Sequence, residues 1–246
     1  MKKGLLLLAG LLLNVAFSNG QVLRIDDLQD FVTQSNINRT QLTSEKIVNE
    51  KNLIGSPYLD GDEFKPGKIY DIEKNKIING FIRYRIFDDI MQVKKELNTT
   101  EPFLIKRSNN YKVFIEKSEF IFVEKLPIEL RGTNNGYVKI SYKNPTNNLM
   151  LLTRWIQEYT PEKKPTNNYS SGTNAKLNTS KFYFISLDEK IYAIEAHKKR
   201  AADAFPDHNK ELEEYIKENK LKFRGDDEEK DLITLIKYYN KVTQDS

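Results

Sequence analysis

The stretch GSPYLDGDEFKPGKIYDIEKNKIINGFIRYRIFDDIMQV, residues 55–93, decides how the rest of the chain is read. Gly55, Ser56 and Pro57 break regular structure, while Tyr58, Leu59 and Phe64 supply apolar anchors that pin an irregular plug onto a sheet. Pro66-Gly67 then reads as a turn, Lys68 to Ile72 as a strand, and Glu73 to Lys76 as a polar hairpin connection. From Phe81 the alternation is strict. Ile82, Tyr84 and Ile86 take one face, and Phe81, Arg83, Arg85 and Phe87 take the other. That second face is amphipathic rather than polar, which places the strand in the middle of a sheet with both sides partly covered.

Downstream, short strands follow at close spacing: Ile90 to Lys94, Pro102 to Lys106, Tyr111 to Glu116, Glu119 to Glu124, Tyr137 to Tyr142 and Leu149 to Glu158. Between them stand Ser108-Asn109-Asn110, Thr133-Asn134-Asn135-Gly136 and Asn144-Pro145, all turn chemistry. No connection is long enough for a helical crossover, so the reading is an antiparallel meander. Thr160 to Thr179 is poor in apolar residues and reads as a mobile loop. Phe182 to Ser186 and Lys190 to Ala193 read as a closing pair of strands.

From residue 194 the period changes to helical. Ile194, His197, Ala201, Ala204 and Phe205 fit one helix; Leu212, Tyr215 and Ile216 fit a second, opened by Pro206-Asp207. Leu232, Leu235, Ile236, Tyr239 and Val242 stripe a third, with Asp226 to Glu229 as acid at its start and as a candidate capping box. A tail of about fifty residues is near the size at which a lone core becomes marginal, so these helices are expected to pack on the sheet.

The expected fold is therefore α+β: a curved, mainly antiparallel β-meander, a half-barrel if the curvature is strong, followed by C-terminal helices packed on it. The divisions are a leader at 1–20, an N-terminal arm at 21–54, the β domain at 55–193 with its loop at 160–179, and the helices at 194–246. The leader reading rests on Lys2 and Lys3, the apolar run Gly4 to Phe17 and the exit Ser18-Asn19-Gly20, with cleavage before Gln21 or, as the alternative, before Asn19. That run is shorter than the roughly twenty residues a bilayer span needs. In the arm, Leu23, Ile25, Leu28, Phe31 and Val32 suit a short helix on an otherwise loosely held segment.

The residues 55–93 also resemble a group of secreted Bacteroidota proteins without assigned activity. The likeness is carried by Gly55-Ser56-Pro57-Tyr58-Leu59, Phe64-Lys65-Pro66-Gly67, Arg83-Tyr84-Arg85, Asp88-Asp89 and Met91-Gln92, and extends to Tyr238-Tyr239-Asn240. This chain has Arg85 where the group's pattern has Asn, and Gln92 where it has Glu. The resemblance implies export and supplies no chemistry to carry over.

Composition narrows the function classes. The chain has no cysteine, which excludes a disulfide framework and a lipid-modified N-terminal cysteine. It carries 39 basic and 35 acidic residues, and Lys2 and Lys3 fall in the leader, so the remainder is nearly neutral and nucleic acid is not an expected partner. His197 and His208 are the only histidines, too few for a zinc or transition-metal site, and no metal or cofactor is expected. Asp60-Gly61-Asp62-Glu63 clusters oxygens without the calcium-loop pattern and reads as a solvated turn. No nucleophile elbow is present, and Asp88-Asp89 reads as a strand-end bend rather than a catalytic pair. The basic run Ala196 to Ala201 reads as a solvated helix face. Asn38, Asn98, Asn168 and Asn178 head Asn-x-Ser/Thr triplets, marking polar loops.

What is left is a candidate surface, Tyr58, Phe81, Arg83, Arg85 and Phe87, where arginines alternate with aromatic rings. The leading functional expectation is an exported, periplasmic or extracellular, non-enzymatic binding module for an envelope protein. The alternatives are a carrier of an apolar ligand or lipid in the curved sheet and a carboxylate-dependent hydrolase.

Overall fold

The computed structural model describes residues 28, 30–33, 45–99, 101–165 and 171–244; the leader at 1–20 lies outside them. Eleven strands form one antiparallel, open sheet: β1 (Val32–Thr33), β2 (Lys65–Asp71), β3 (Lys76–Arg85), β4 (Ile90–Lys94), β5 (Phe103–Ile105), β6 (Tyr111–Ile115), β7 (Ser118–Val123), β8 (Gly136–Lys143), β9 (Met150–Thr160), β10 (Lys176–Leu187) and β11 (Lys190–Ile194). Their order is β1-β5-β4-β3-β2-β6-β7-β8-β9-β10-β11. The sheet is thus two meanders, β2 to β5 and β6 to β11, joined where β6 returns to pair with β2.

That return forces the curvature. Ile105 sits at the level of Tyr84 in β3, whereas Tyr111 pairs with Asp71 at the level of Lys76. In a flat sheet these points would lie about 19 Å apart across the strands and about 26 Å along them, roughly 30 Å in all. Residues 106–110 reach at most roughly 20 Å when fully extended, and here they also turn, with Tyr111 N–H bonded to the Ser108 carbonyl. The sheet must therefore coil until the end of β5 meets the start of β6. Tyr111 Oη and Lys106 Nζ both donate to the Asp30 carbonyl across this closure.

The inner face can be followed along one row of paired residues: Ile78, Ile69, Val113, Phe120, Lys139, Thr153, Tyr183 and Ile194. Its first half, with Tyr84, Met91 and Val93, fills the coiled part of the sheet. Phe31 is fully buried in that core beside Leu28, so the N-terminal arm supplies core residues through the two-residue β1. Gly67 and Gly80 face each other on this side, and a Cβ on Gly67 would meet the Phe114 carbonyl and stand 3.0 Å from Ile82 Cδ1.

The far half of the inner face is covered by two helices, α1 (Asn209–Glu218) and α2 (Glu228–Gln244). Leu212 and Ile216 of α1 and Leu232, Leu235, Ile236 and Tyr239 of α2 pack with Leu151, Tyr183, Ile185 and Ile194 of the sheet. The expected stripe on the last helix is the one buried. The candidate capping box gives way to a 3-10 turn, Gly225–Asp227, leading into α2. Asp231 instead accepts from the Lys222 and Phe223 backbone N–H groups.

Three sequence expectations are corrected. Pro66-Gly67 is not a turn: both residues lie in β2, paired with Phe81 and Gly80. No α-helix spans Ile194 to Phe205: Ile194 ends β11, and only the 3-10 turn Ala201–Ala204 follows. Pro206 pushes the residue before it out of the helical region, and Phe205, extended at φ −93° and ψ 141°, ends the 3-10 turn. The basic run therefore lies in turns, with Arg200 paired to Glu195 at 2.9 Å. The loop at 160–179 is also shorter than expected, because Lys176 to Thr179, including Asn178, pair with β9, and Lys163 bridges Thr173. Two small apolar groups, Ala175 and Leu177, are buried there and hold the strand, while Ile54 bonds alongside it.

Candidate functional site

The plug at 55–59 locks onto the end of β3. Pro57 O accepts from Ile86 and Phe87 N–H, and Leu59 N–H donates to Tyr84 O. This brings Tyr58 and Phe64 to Arg83, whose guanidinium lies 3.9 Å and 4.2 Å from their ring centroids. Arg83 Nε also donates to Gln92 Oε1 at 2.7 Å and Nη1 to Asp62 O at 2.7 Å. Burial holds this guanidinium below the usual arginine range.

Arg85 and Phe87 do not belong to an open surface. Arg85 forms a two-pronged bond to Asp88 at 2.8 and 2.6 Å and a further one to Glu45 at 2.5 Å, with its side chain buried. Burial alone would lower its pKa; the bonds to Asp88 and Glu45 more than offset this and raise it. Phe87 is buried with the Arg131 guanidinium 5.2 Å above its ring. Segments from elsewhere cover positions that alternation alone assigns to an outer face: Glu45 and the β3–β4 turn's Asp88 take Arg85, and Arg131, from the segment before β8, takes Phe87. Of the five expected surface residues, only Tyr58, Phe81 and Arg83 keep partial exposure.

Asp89, at φ 57° in that turn, is a hub. Its Oδ1 accepts from Tyr84 Oη at 2.6 Å and from Tyr137 N–H at 3.2 Å. Burial and then the Asp89 charge push both tyrosine hydroxyls up. Its Oδ2 faces Arg107 and Arg154, each at 3.7 Å.

A second polar cluster, which no sequence pattern announced, lies where the two halves of the inner face meet. Glu229, in the first turn of α2, accepts from Ser141 Oγ at 2.9 Å and Thr153 Oγ1 at 3.2 Å, while Lys139 Nζ donates to its other oxygen at 3.3 Å. Glu228 accepts from Tyr183 Oη at 3.0 Å. The acids at the helix start thus bind the sheet and fasten α2 over a polar seam between two apolar cores.

The outer face is covered unevenly. A row of paired residues crosses it: Ile77, Tyr70, Lys112, Ile121 and Val138. Its β7–β8 end is sealed by Leu126, Ile128 and Leu130 from the segment between those strands. At the other end Ile77 is 52 % exposed and Ile72, at the hairpin tip, 45 % exposed. Tyr70, Phe81 and Phe114 are half-buried around them, and Lys68 Nζ lies 4.7 Å from the Phe114 ring centroid. Glu119, on this face, is paired with Lys112 at 3.5 Å.

The inner face, by contrast, is lined by the buried side chains of two packed cores, and a cavity of about 30 Å³ lies near Leu59, Ile82 and Phe120. Among the described residues no helix is long and apolar enough to cross a membrane, and no three acid, histidine or cysteine groups are placed to hold a metal ion. The chain matches no family model, no curated protein and no solved structure.

Proposed function

We propose that the chain is an exported, non-enzymatic binding module that docks an envelope protein on the bare end of its outer sheet face. The observation that carries the reading is the exposure of Ile77 and Ile72 on a face that the chain seals elsewhere with Leu126, Ile128 and Leu130. Half-buried aromatics and an uncovered lysine surround them, so the partner presents an apolar patch bordered by acid. Export rests on the leader-like residues 1–20 and on the resemblance to secreted Bacteroidota proteins. The packed inner face favours this reading over a lipid carrier, since ligand pockets usually measure about 300–1,000 Å³.

The test is site-specific photo-crosslinking in cells that make the full chain. Benzoylphenylalanine at position 77 is expected to give one discrete adduct, which Tyr70→Ala with Lys68→Glu abolishes. The same probe at Glu213, exposed on α1, is expected to give none. Adducts from both positions, or from neither, overturn the docking face. Turnover of an envelope substrate that tracks the purified chain and stops on Asp89→Asn overturns the non-enzymatic assignment.

A further inference from the structure

Two guanidinium groups, Arg107 and Arg154, face one carboxylate where the β3–β4 turn meets β9, and a third, Arg131, lies against the same turn. Arg85, beside them, is already matched by Asp88 and Glu45. Arg107 and Arg154 share Asp89 Oδ2, both at 3.7 Å, too far for a hydrogen bond, and Arg107 Nη2 also donates to the Asp88 and Asp89 carbonyls at 3.2 and 2.8 Å. Arg131 Nη1 donates to the Phe87 and Gln157 carbonyls, which carry no net charge.

Arg154 is the informative member. Its side chain is 3 % exposed, and its Nε and Nη1 have no hydrogen-bond partner among the described residues. Arginine does not lose its proton in proteins, so neutralisation is closed to it. A buried charge needs a counter-charge and a buried donor needs an acceptor.

The backbone has also been cleared for this side chain. The guanidinium lies over Gly136, at φ 150°, where a Cβ would overlap Nη1. The glycine of the Asn135-Gly136 pair therefore makes room for Arg154 rather than closing a two-residue hairpin. Arg107, which shares Asp89 Oδ2 with Arg154, is exposed to solvent.

We propose that this junction is a binding site for one small anion, seated on Arg154 and held from the solvent side by Arg107. Its chemistry is that of a carboxylate or a phosphate-type oxyanion, the groups a planar guanidinium recognises. The site is independent of the outer-face docking surface, and either can fail without the other.

Two measurements on the full chain test it. Crystals soaked in bromide are expected to show an anomalous peak within contact of Arg154 Nε or Nη1, and an ordered water there without anomalous signal overturns the proposal. In solution, phosphate or acetate at fixed ionic strength is expected to raise the melting temperature saturably. Saturation by phosphate alone identifies a free oxyanion, and saturation by acetate identifies the carboxylate of a ligand. Arg154→Met removes the response, and Arg107→Met, at an exposed position that leaves folding intact, weakens the apparent affinity about tenfold, the loss of one charge-assisted contact. Equal responses in wild type and both variants overturn the site.

Discussion

Phe31 is the sharpest probe of how the N-terminal arm belongs to the fold. Its ring is fully buried, 5.2 Å from the Tyr111 ring centroid, with Lys76 Nζ 5.9 Å from its own, although the strand that follows it has only two residues. Phe31→Ala removes a side chain enclosed by β3, β5 and β6, elements fixed by their own ladders, so the space cannot collapse. Buried Phe-to-Ala changes cost about 3–5 kcal/mol, and about 4 kcal/mol in a chain of this size lowers the melting temperature by about 8–16 °C. Urea unfolding followed by the fluorescence of Trp155, the only tryptophan and a member of the same core, reads the change where it occurs. The midpoint should fall while the slope with urea stays constant, because the surface exposed on unfolding is nearly unchanged. A loss under about 1 kcal/mol, the scale of surface substitutions, would show that the arm merely rests on the sheet.

Two further outcomes are expected. The hydroxyls of Tyr84, Tyr137, Tyr183 and Tyr239 are all pushed up, first by burial and then by Asp89, Glu228 or Asp207. A folded pKa above the unfolded value of about 10 leaves stability untouched below that pH and removes it as pH rises through the folded value. Absorbance at 295 nm should therefore show a group of tyrosines ionising only together with the loss of circular dichroism, and their ionisation in the folded chain would contradict the burial. Replacing residues 164–172 with a short Gly-Ser linker should leave the melting temperature within about 2 °C, since closure cost varies slowly with loop length. Replacing 160–179 should lower it clearly, because that span includes buried Leu177 and its pairing with Tyr159; equal outcomes refute the long hairpin.

Strand existence was legible because its signal is local. Ile90 to Lys94 was read to the residue, and the stripe from Leu232 to Tyr239 identified the helix that packs on the sheet. What escaped was non-local. Alternation places Arg85 and Phe87 on an outward face, but nothing in their neighbours says that segments from elsewhere cover that face. Ala175 and Leu177 are too sparse within a polar run to register as strand, yet pairing with β9 and Ile54 completes their backbone bonds. The Glu229 cluster joins residues of β8, β9 and α2, and the Arg154 junction joins β4's leading turn to β9, so neither has a spacing to detect. Asn135-Gly136 looked like hairpin chemistry, and its glycine is explained instead by a guanidinium from another strand.

The pairing of β6 with β2 also bears on how the chain folds as it is made. β2 is completed early, and its partner on one side, β3, follows at once; the partner on the other side arrives only after β4 and β5. During that interval β2 presents an open edge, the kind of template on which nascent chains stick to one another. Its sequence begins Lys65-Pro66-Gly67-Lys68, which combines two charges with a residue that has no N–H to donate. The same four residues that look like poor strand material in the finished sheet are what keep its central strand from pairing with the wrong chain while it waits.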